Sequence, residues 1–408
     1  MWLEIQGWVR DLNEVHVDHL GSVWGHWRRA LRSPELNLRQ LRRFEARIEA
    51  HVDALVLAGN EAQEELQAAL VGEHDEDARA AADALGCGAL ADGAERWLEA
   101  LLAAESPSRK DTLLHALQLR PRPALLVALE RRGPKVPPVL QLARRLARAA
   151  AGKPTLEAEG LALRDLRALA GAEGEWAWRA TASEKGERLE RAEVEATLDA
   201  GEPARSELAL AAAFARGESW ALDVARSRAK DRLVAARWLA ALGSAADFEL
   251  LMRVAGDTRL GPERFLPLAS LGDPRALPVL LEQLSLPRPA DSSAAAWAFR
   301  LLSGLDVHSL ERVPVPEPAG ALPDAFDQLF LDEVFLPDVA KARAWLERDG
   351  AKLEPGPRWR QGVALDAASG TALDALDVAG LAERAWRRRV SGGAAAAQVP
   401  GSSFPFTP

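Results

Sequence analysis

Apolar residues recur at helical spacing along most of this chain. Leu20, Val23, Trp24, Trp27 and Leu31 share one helical face and predict a helix over 12–32. Ser33-Pro34 interrupts it, and Asn37 is placed as the N-cap of a second helix. That helix carries the stripe Leu38, Leu41, Phe44, Ile48, Val52 and Leu55, and Gly59 ends it. The two helices are expected to pair antiparallel as an N-terminal helical hairpin over 1–60. Trp24 and Trp27 would then face Phe44 and Ile48.

From 61 to 310, helical runs alternate with Gly, Pro or Asp punctuation. The clearest units are Trp238-Leu239-Ala240-Ala241-Leu242-Gly243 and Leu266-Pro267-Leu268-Ala269-Ser270-Leu271-Gly272. In each, an Ala/Leu helix ends in Leu-Gly and a second apolar helix follows. The period of roughly 30 residues suits an α-solenoid, whose units bury their apolar faces only against neighbours. The Arg-rich run Arg144-Arg145 to Arg148 is expected to be a solvated face.

After Asp306 the pattern breaks. Pro314, Pro316, Pro318 and Pro323 predict an extended linker. Helices are expected near 338–349 and 376–389, with the Pro355-Gly356-Pro357 turn between them. Residues 311–390 thus read as a linker and a small C-terminal helical cap. Residues 391–408, rich in Gly, Ala, Ser and Pro, read as a disordered tail. The predicted fold class is all-α.

Composition narrows the functional classes. Hydrophobic residues make up 48% of the chain and charged residues 27%, enough for a sizeable core. A net charge of −9 argues against broad binding to nucleic-acid phosphates. The single Cys87 excludes an internal disulfide or a cysteine-cluster metal site. No apolar run is long enough for a membrane span, and the N-terminus does not read as a signal peptide. The expected location is therefore cytoplasmic.

Few residues suggest chemistry. His16, His19 and His26 lie on one side of the first helix beside Glu14 and Asp18, a pattern that would suit Zn²⁺ or Ni²⁺. About 10 Å of helix rise between His19 and His26 prevents all three from sharing an ion. The expectation is no metal and no cofactor. His51, one turn after Arg47, is either a partner-contact or proton-handling site, or a half-buried side chain that hydrogen-bonds the facing helix and fixes the hairpin angle. The acidic run around Glu73, His74, Asp75, Glu76 and Asp77 lacks the alternating ligands and central glycine of a calcium loop, and is read as a helix start. Trp176 and Trp178 point about 200° apart on a helix, so at least one should be buried. Phe326, Leu329, Phe330 and Phe335, interleaved with acids, either cap the end of the array or dock onto a basic partner. No phosphate loop, nucleophile elbow or HExxH sequence is present.

The run His51-Val52-Asp53-Ala54-Leu55-Val56-Leu57-Ala58-Gly59, preceded by Arg47, resembles the signature of an uncharacterised bacterial family of HEAT-like-repeat proteins. Val23-Trp24, Arg28, Ala30, Pro34 and Leu38 fit the same pattern. So do Leu271-Gly272-Asp273-Pro274, Ser303-Gly304-Leu305-Asp306 and Pro337-Asp338, with Lys341, Trp345, Gly356, Arg358, Trp359 and Gly362. The resemblance implies HEAT-like helix pairs, a setting in type VI secretion gene clusters, and no enzymatic activity.

The expected function is a non-catalytic protein-interaction scaffold or adaptor, accessory to type VI secretion. The alternatives are an immunity protein that neutralises a secreted toxin and an enzyme on a HEAT-like scaffold. Candidate partner-binding residues are Arg47, His51, Asp53, Phe326, Phe330 and Phe335.

Overall fold

The computed structural model of the chain describes residues 2–30, 36–115, 117, 123–133, 135–151, 153, 161–183, 188–315, 333–369, 372 and 376–390. The described residues are mostly helical, with little strand. The Ser33-Pro34 break, Phe326, Leu329 and Phe330, and the tail 391–408 lie outside them. The chain divides into two compact units. Among the described residues, one takes in 1–197 and 204–217, the other 198–203 and 218–390.

The first unit opens with α1 (Trp2–Ala30) and α2 (Leu38–Ala58). The helix α1 starts well before residue 12. Asn37 caps α2 as expected. Its side chain accepts from Gln40 N at 3.1 Å, while the Gln40 side chain accepts from Asn37 N at 3.0 Å. Gly59, at φ 55, ends the helix. Trp24 and Trp27 are buried and stand edge to face, 5.3 Å between centroids.

The unit continues through α3 (Gln63–Val71), α4 (Asp75–Gly86), α5 (Gly93–Ala103), α6 (Pro107–His115), α7 (Pro123–Arg131) and α8 (Pro138–Ala150). After these come α9 (Leu163–Arg167), α10 (Gly171–Ser183), α11 (Arg191–Ala200) and α12 (Pro203–Ala215). Asp75, Glu76 and Asp77 fill the first turn of α4, where the helix dipole favours acids. Each helix packs on near neighbours in the chain: α4 on α1, α3 and α6, and α10 on α6, α8 and α9. That surround buries both Trp176 and Trp178. Trp176 Nε1 donates to Asp111 Oδ1 at 3.0 Å, which satisfies its one polar atom. The Arg-rich run of α8 is not a solvated face. Arg144 is buried and donates to the Gly133 carbonyl, and Arg148 pairs with Glu130 at 2.6 Å.

In the second unit come α13 (Ala221–Arg228), α14 (Leu233–Leu242), α15 (Phe248–Gly256), α16 (Phe265–Ser270), α17 (Ala276–Gln283) and α18 (Pro289–Ser303). They pair as α13 with α14, α15 with α16, and α17 with α18. The second members also form a row, α14 against α16 and α16 against α18. Trp238, Phe265 and Phe299, one from each member of that row, are fully buried.

Beyond α18 the unit is not purely helical. The antiparallel strands β1 (His308–Pro314) and β2 (Glu333–Pro337) pair, with a bulge between His308 and Arg312. Residues 313–314, read as linker, are therefore strand. Then come α19 (Val339–Asp349), capped by Asp338 as its N-cap, and the short pair β3 (Trp359–Arg360) and β4 (Val363–Ala364). The unit ends with α20 (Val378–Val390), whose Trp386 meets Trp238 edge to face at 5.1 Å.

Candidate functional site

Three places gather the side chains the sequence singled out. The first is the α1–α2 hairpin. His16 Nδ1 and His51 Nδ1 lie 3.0 Å apart across it. The His19 ring stands edge to face with that of His51, 5.7 Å between centroids. His26 is apart from this group and stacks on Phe44 at 6.2 Å. Arg47 and Asp53 are exposed on α2, on either side of the half-buried His51. Among the described residues no group of three or more His, Cys, Asp or Glu side chains is arranged to hold a metal ion.

A 3.0 Å contact between two Nδ1 atoms needs one donor and one acceptor. The pair therefore accepts one proton but not two. Burial lowers both histidines below the usual imidazole range; His19 lowers both further, and His16 and Arg47 add to the effect at His51. The folded hairpin thus binds fewer protons than the unfolded chain. Its contribution to stability is full above the unfolded pKa near 6.5 and is lost as pH falls through the depressed folded values. Unfolding titrations at stepped pH are expected to show the parent losing stability below pH ~6.5. A His16→Gln/His51→Gln variant should lose less over the same window. Equal slopes for both proteins would remove this pair as the cause.

The second place surrounds Phe335, which lies on β2 and is 37% exposed. The Arg312 guanidinium sits over its ring at 4.4 Å. His308 fills the space between Phe335 and Trp297, and its Nδ1 meets Asp306 Oδ1 at 3.0 Å. The Asp306 carboxyl is desolvated, yet it is held below its ordinary range by hydrogen bonds from the His308 backbone and ring and by Arg300.

The third place carries no site motif in the sequence, although Arg358, Trp359 and Gly362 belong to the family resemblance. Residues 358–362 run across the ends of α14, α16 and α18. Arg358 donates to the carbonyls of Ala240 at 2.6 Å, Ala241 at 3.3 Å and Gly243, the orphan acceptors at the end of α14. Trp359 N donates to Gly272 O at 2.9 Å, Gln361 N to Leu301 O at 2.7 Å and Gly362 N to Leu302 O at 3.0 Å. Burial, with Arg387 close by, pulls Arg358 down to about 10. It stays charged at neutral pH and meets the negative end of the α14 dipole.

Two of the helix-ending glycines have a common physical cause. Gly272 (φ 76) and Gly304 (φ 79) are left-handed, and both touch the strap of residues 358–362. A Cβ on Gly272 would lie 2.8 Å from Trp359 N, and one on Gly304 would lie 2.6 Å from Gln361 O. Gly304→Ala should therefore cost the roughly 1–2 kcal/mol of a left-handed non-glycine residue, plus the displacement of the strap. A Gly256→Ala control meets nothing within 4 Å. Chemical denaturation of both variants checks this, and equal stabilities would contradict the close approach.

Beneath the strap, Arg360 is buried with two acids. Its Nε and Nη2 bond both oxygens of Asp377 at 2.9 and 2.8 Å, and Nη1 bonds Glu383 Oε1 at 2.9 Å. The two carboxylates raise Arg360 and keep it charged, despite complete burial. Burial, helped by Asp377, raises Glu383 against the pull of Arg360. Gly380 leaves room for the guanidinium stem: its Cβ would lie 3.1 Å from Arg360 Cγ. No local motif marks this trio, whose three charges are spread over 360–383.

No protein-family model matches the chain, and no curated protein matches it significantly.

Proposed function

We propose that this chain is a non-catalytic protein-interaction scaffold or adaptor. In this reading it is a cytoplasmic HEAT-like α-solenoid that serves as an accessory to type VI secretion. The observation that carries the reading is the arrangement of α13 to α18. Three successive helix pairs, with their second members in one row, bury apolar faces against neighbours in the way helix-pair repeats do. Such rows offer long surfaces on which partners bind without catalytic groups. The notable polar side chains of this unit fit the reading, because Arg358 and Arg360 are engaged in holding helix ends and the C-terminal segment.

The type VI setting rests on the family resemblance. Its support is that Gly272, Gly304, Arg358, Trp359 and Gly362, all part of that resemblance, meet at the strap. Among the described residues no helix is long and apolar enough to cross a membrane.

The test is affinity purification of the tagged chain at its native level in a bacterial host, followed by reconstitution of any complex from purified components. A stoichiometric complex with a secretion-system component is expected. A one-to-one complex that silences a single toxin would replace this reading with that of an immunity protein. The lack of any stoichiometric protein complex would overturn it.

A further inference from the structure

The hairpin α1–α2 leaves one apolar row uncovered. Trp8 is 80% exposed, Leu12 54% and Val15 44%. At ~100° per residue the three fall within about 60° of one another on α1. The buried residues along the same stretch of α1, Asn13, Val17 and Leu20, lie at least about 80° round from it. This row is therefore surplus to the core.

Its borders differ in chemistry. One side adjoins α2, where His16 meets His51. The other side carries Asp11, Glu14 and Asp18, all exposed, about 40–100° round from Val15. The negative side continues onto α4. There the Asp77 carboxyl is raised first by burial and further by the nearby Asp18 and Glu76. Arg10, the cation within the row's span, is engaged by Glu65 at 3.4 Å. An apolar strip with an acidic border is complementary to an amphipathic helix whose apolar face is flanked by Lys or Arg. The same border repels an anionic lipid surface. It also disfavours a second copy of the chain, which would bring its own acidic border to the contact.

We propose that the exposed α1 row of Trp8, Leu12 and Val15, with its border of Asp11, Glu14 and Asp18, is a docking surface for a basic amphipathic helix of a protein partner. This rests on the scaffold reading and assigns it a surface and a partner chemistry. The apolar row supplies affinity, and the acids select the charge of the partner's flank.

Two fluorescein-labelled helical peptides of about 18 residues test it against the full chain by anisotropy. Both carry the same leucine face; one is flanked by Lys, the other by Glu. The Lys-flanked peptide should bind and its twin should not. Trp8→Ala/Leu12→Ala should weaken binding at least about tenfold without shifting the unfolding midpoint. Asp11→Asn/Glu14→Gln/Asp18→Asn should abolish the preference between peptides. Equal binding of both peptides by the parent, undiminished binding by Trp8→Ala/Leu12→Ala, or no binding of either overturns the proposal. Concentration-dependent self-association that Trp8→Ala/Leu12→Ala abolishes overturns it in favour of a second copy. A reconstituted native complex that survives Trp8→Ala/Leu12→Ala removes this surface and leaves the scaffold reading standing. The lack of any stoichiometric complex removes the scaffold reading itself.

Discussion

Arg360→Met is expected to destabilise the C-terminal unit by about 3–5 kcal/mol, the usual cost of removing one partner from a buried charge group. Methionine keeps most of the side chain's volume, so the loss isolates the charge. Asp377 and Glu383, both buried, would lose three hydrogen bonds between them. Glu383, already raised by burial, would lose the opposing pull of Arg360 and take up a proton more readily. The deficit should therefore shrink as pH falls toward the carboxyl range. Arg360→Lys, which keeps the charge but not the two-pronged contact with Asp377, should fall between parent and Met variant. Urea unfolding at several pH values checks all three proteins. A Met variant with an unchanged midpoint at neutral pH would mean that the trio contributes nothing.

Trp24→Ala is expected to cost a similar amount, about 3–5 kcal/mol, because a large ring leaves a cavity at the α1–α2 junction. Trp24 is 3% exposed and stands edge to face with Trp27, whose Nε1 donates to Glu45 at 3.3 Å. The Trp24 Nε1 itself is buried without a hydrogen-bond partner. Trp24→Phe should therefore keep most of the stability, since it removes area but no hydrogen bond. The comparison separates ring packing from polarity. Equal losses for the Ala and Phe variants would contradict a packing role. Calorimetric unfolding of the three proteins gives the answer.

The features legible in the sequence were local ones. Asn37 as an N-cap, Gly59 as a helix end, and helices starting near Asp338 and ending after Arg389 all follow from backbone chemistry within a few residues. The buried face with Trp24, Ile48 and Val52 follows from the 3.6-residue period. What escaped was non-local. The pairing of β1 with β2 joins Val313 to Val334, and Leu310 on β1 points fully into solvent, so no alternating pattern marks the strand. The contacts of Arg358 span more than a hundred residues, to Ala240 and Gly243. A sequence shows that Gly243, Gly272 and Gly304 end helices, but not that one strap crosses all three. Likewise His16 and His51 were noticed on separate helices, and only the antiparallel pairing of α1 with α2 brings their Nδ1 atoms together. Arg144 was misread because its partner, the Gly133 carbonyl, carries no side-chain signal.

The row of helices locked by that strap is the frame on which the scaffold reading stands, and amide hydrogen exchange tests it most directly. The amides of Trp359, Gln361 and Gly362 donate to Gly272, Leu301 and Leu302. In the parent protein they should exchange together with the amides of α18, through one cooperative opening. In Gly304→Ala they should lose that protection while α1 to α8 keep theirs. Strap amides that exchange in the parent as fast as an open loop, with α14, α16 and α18 still protected, would contradict the account.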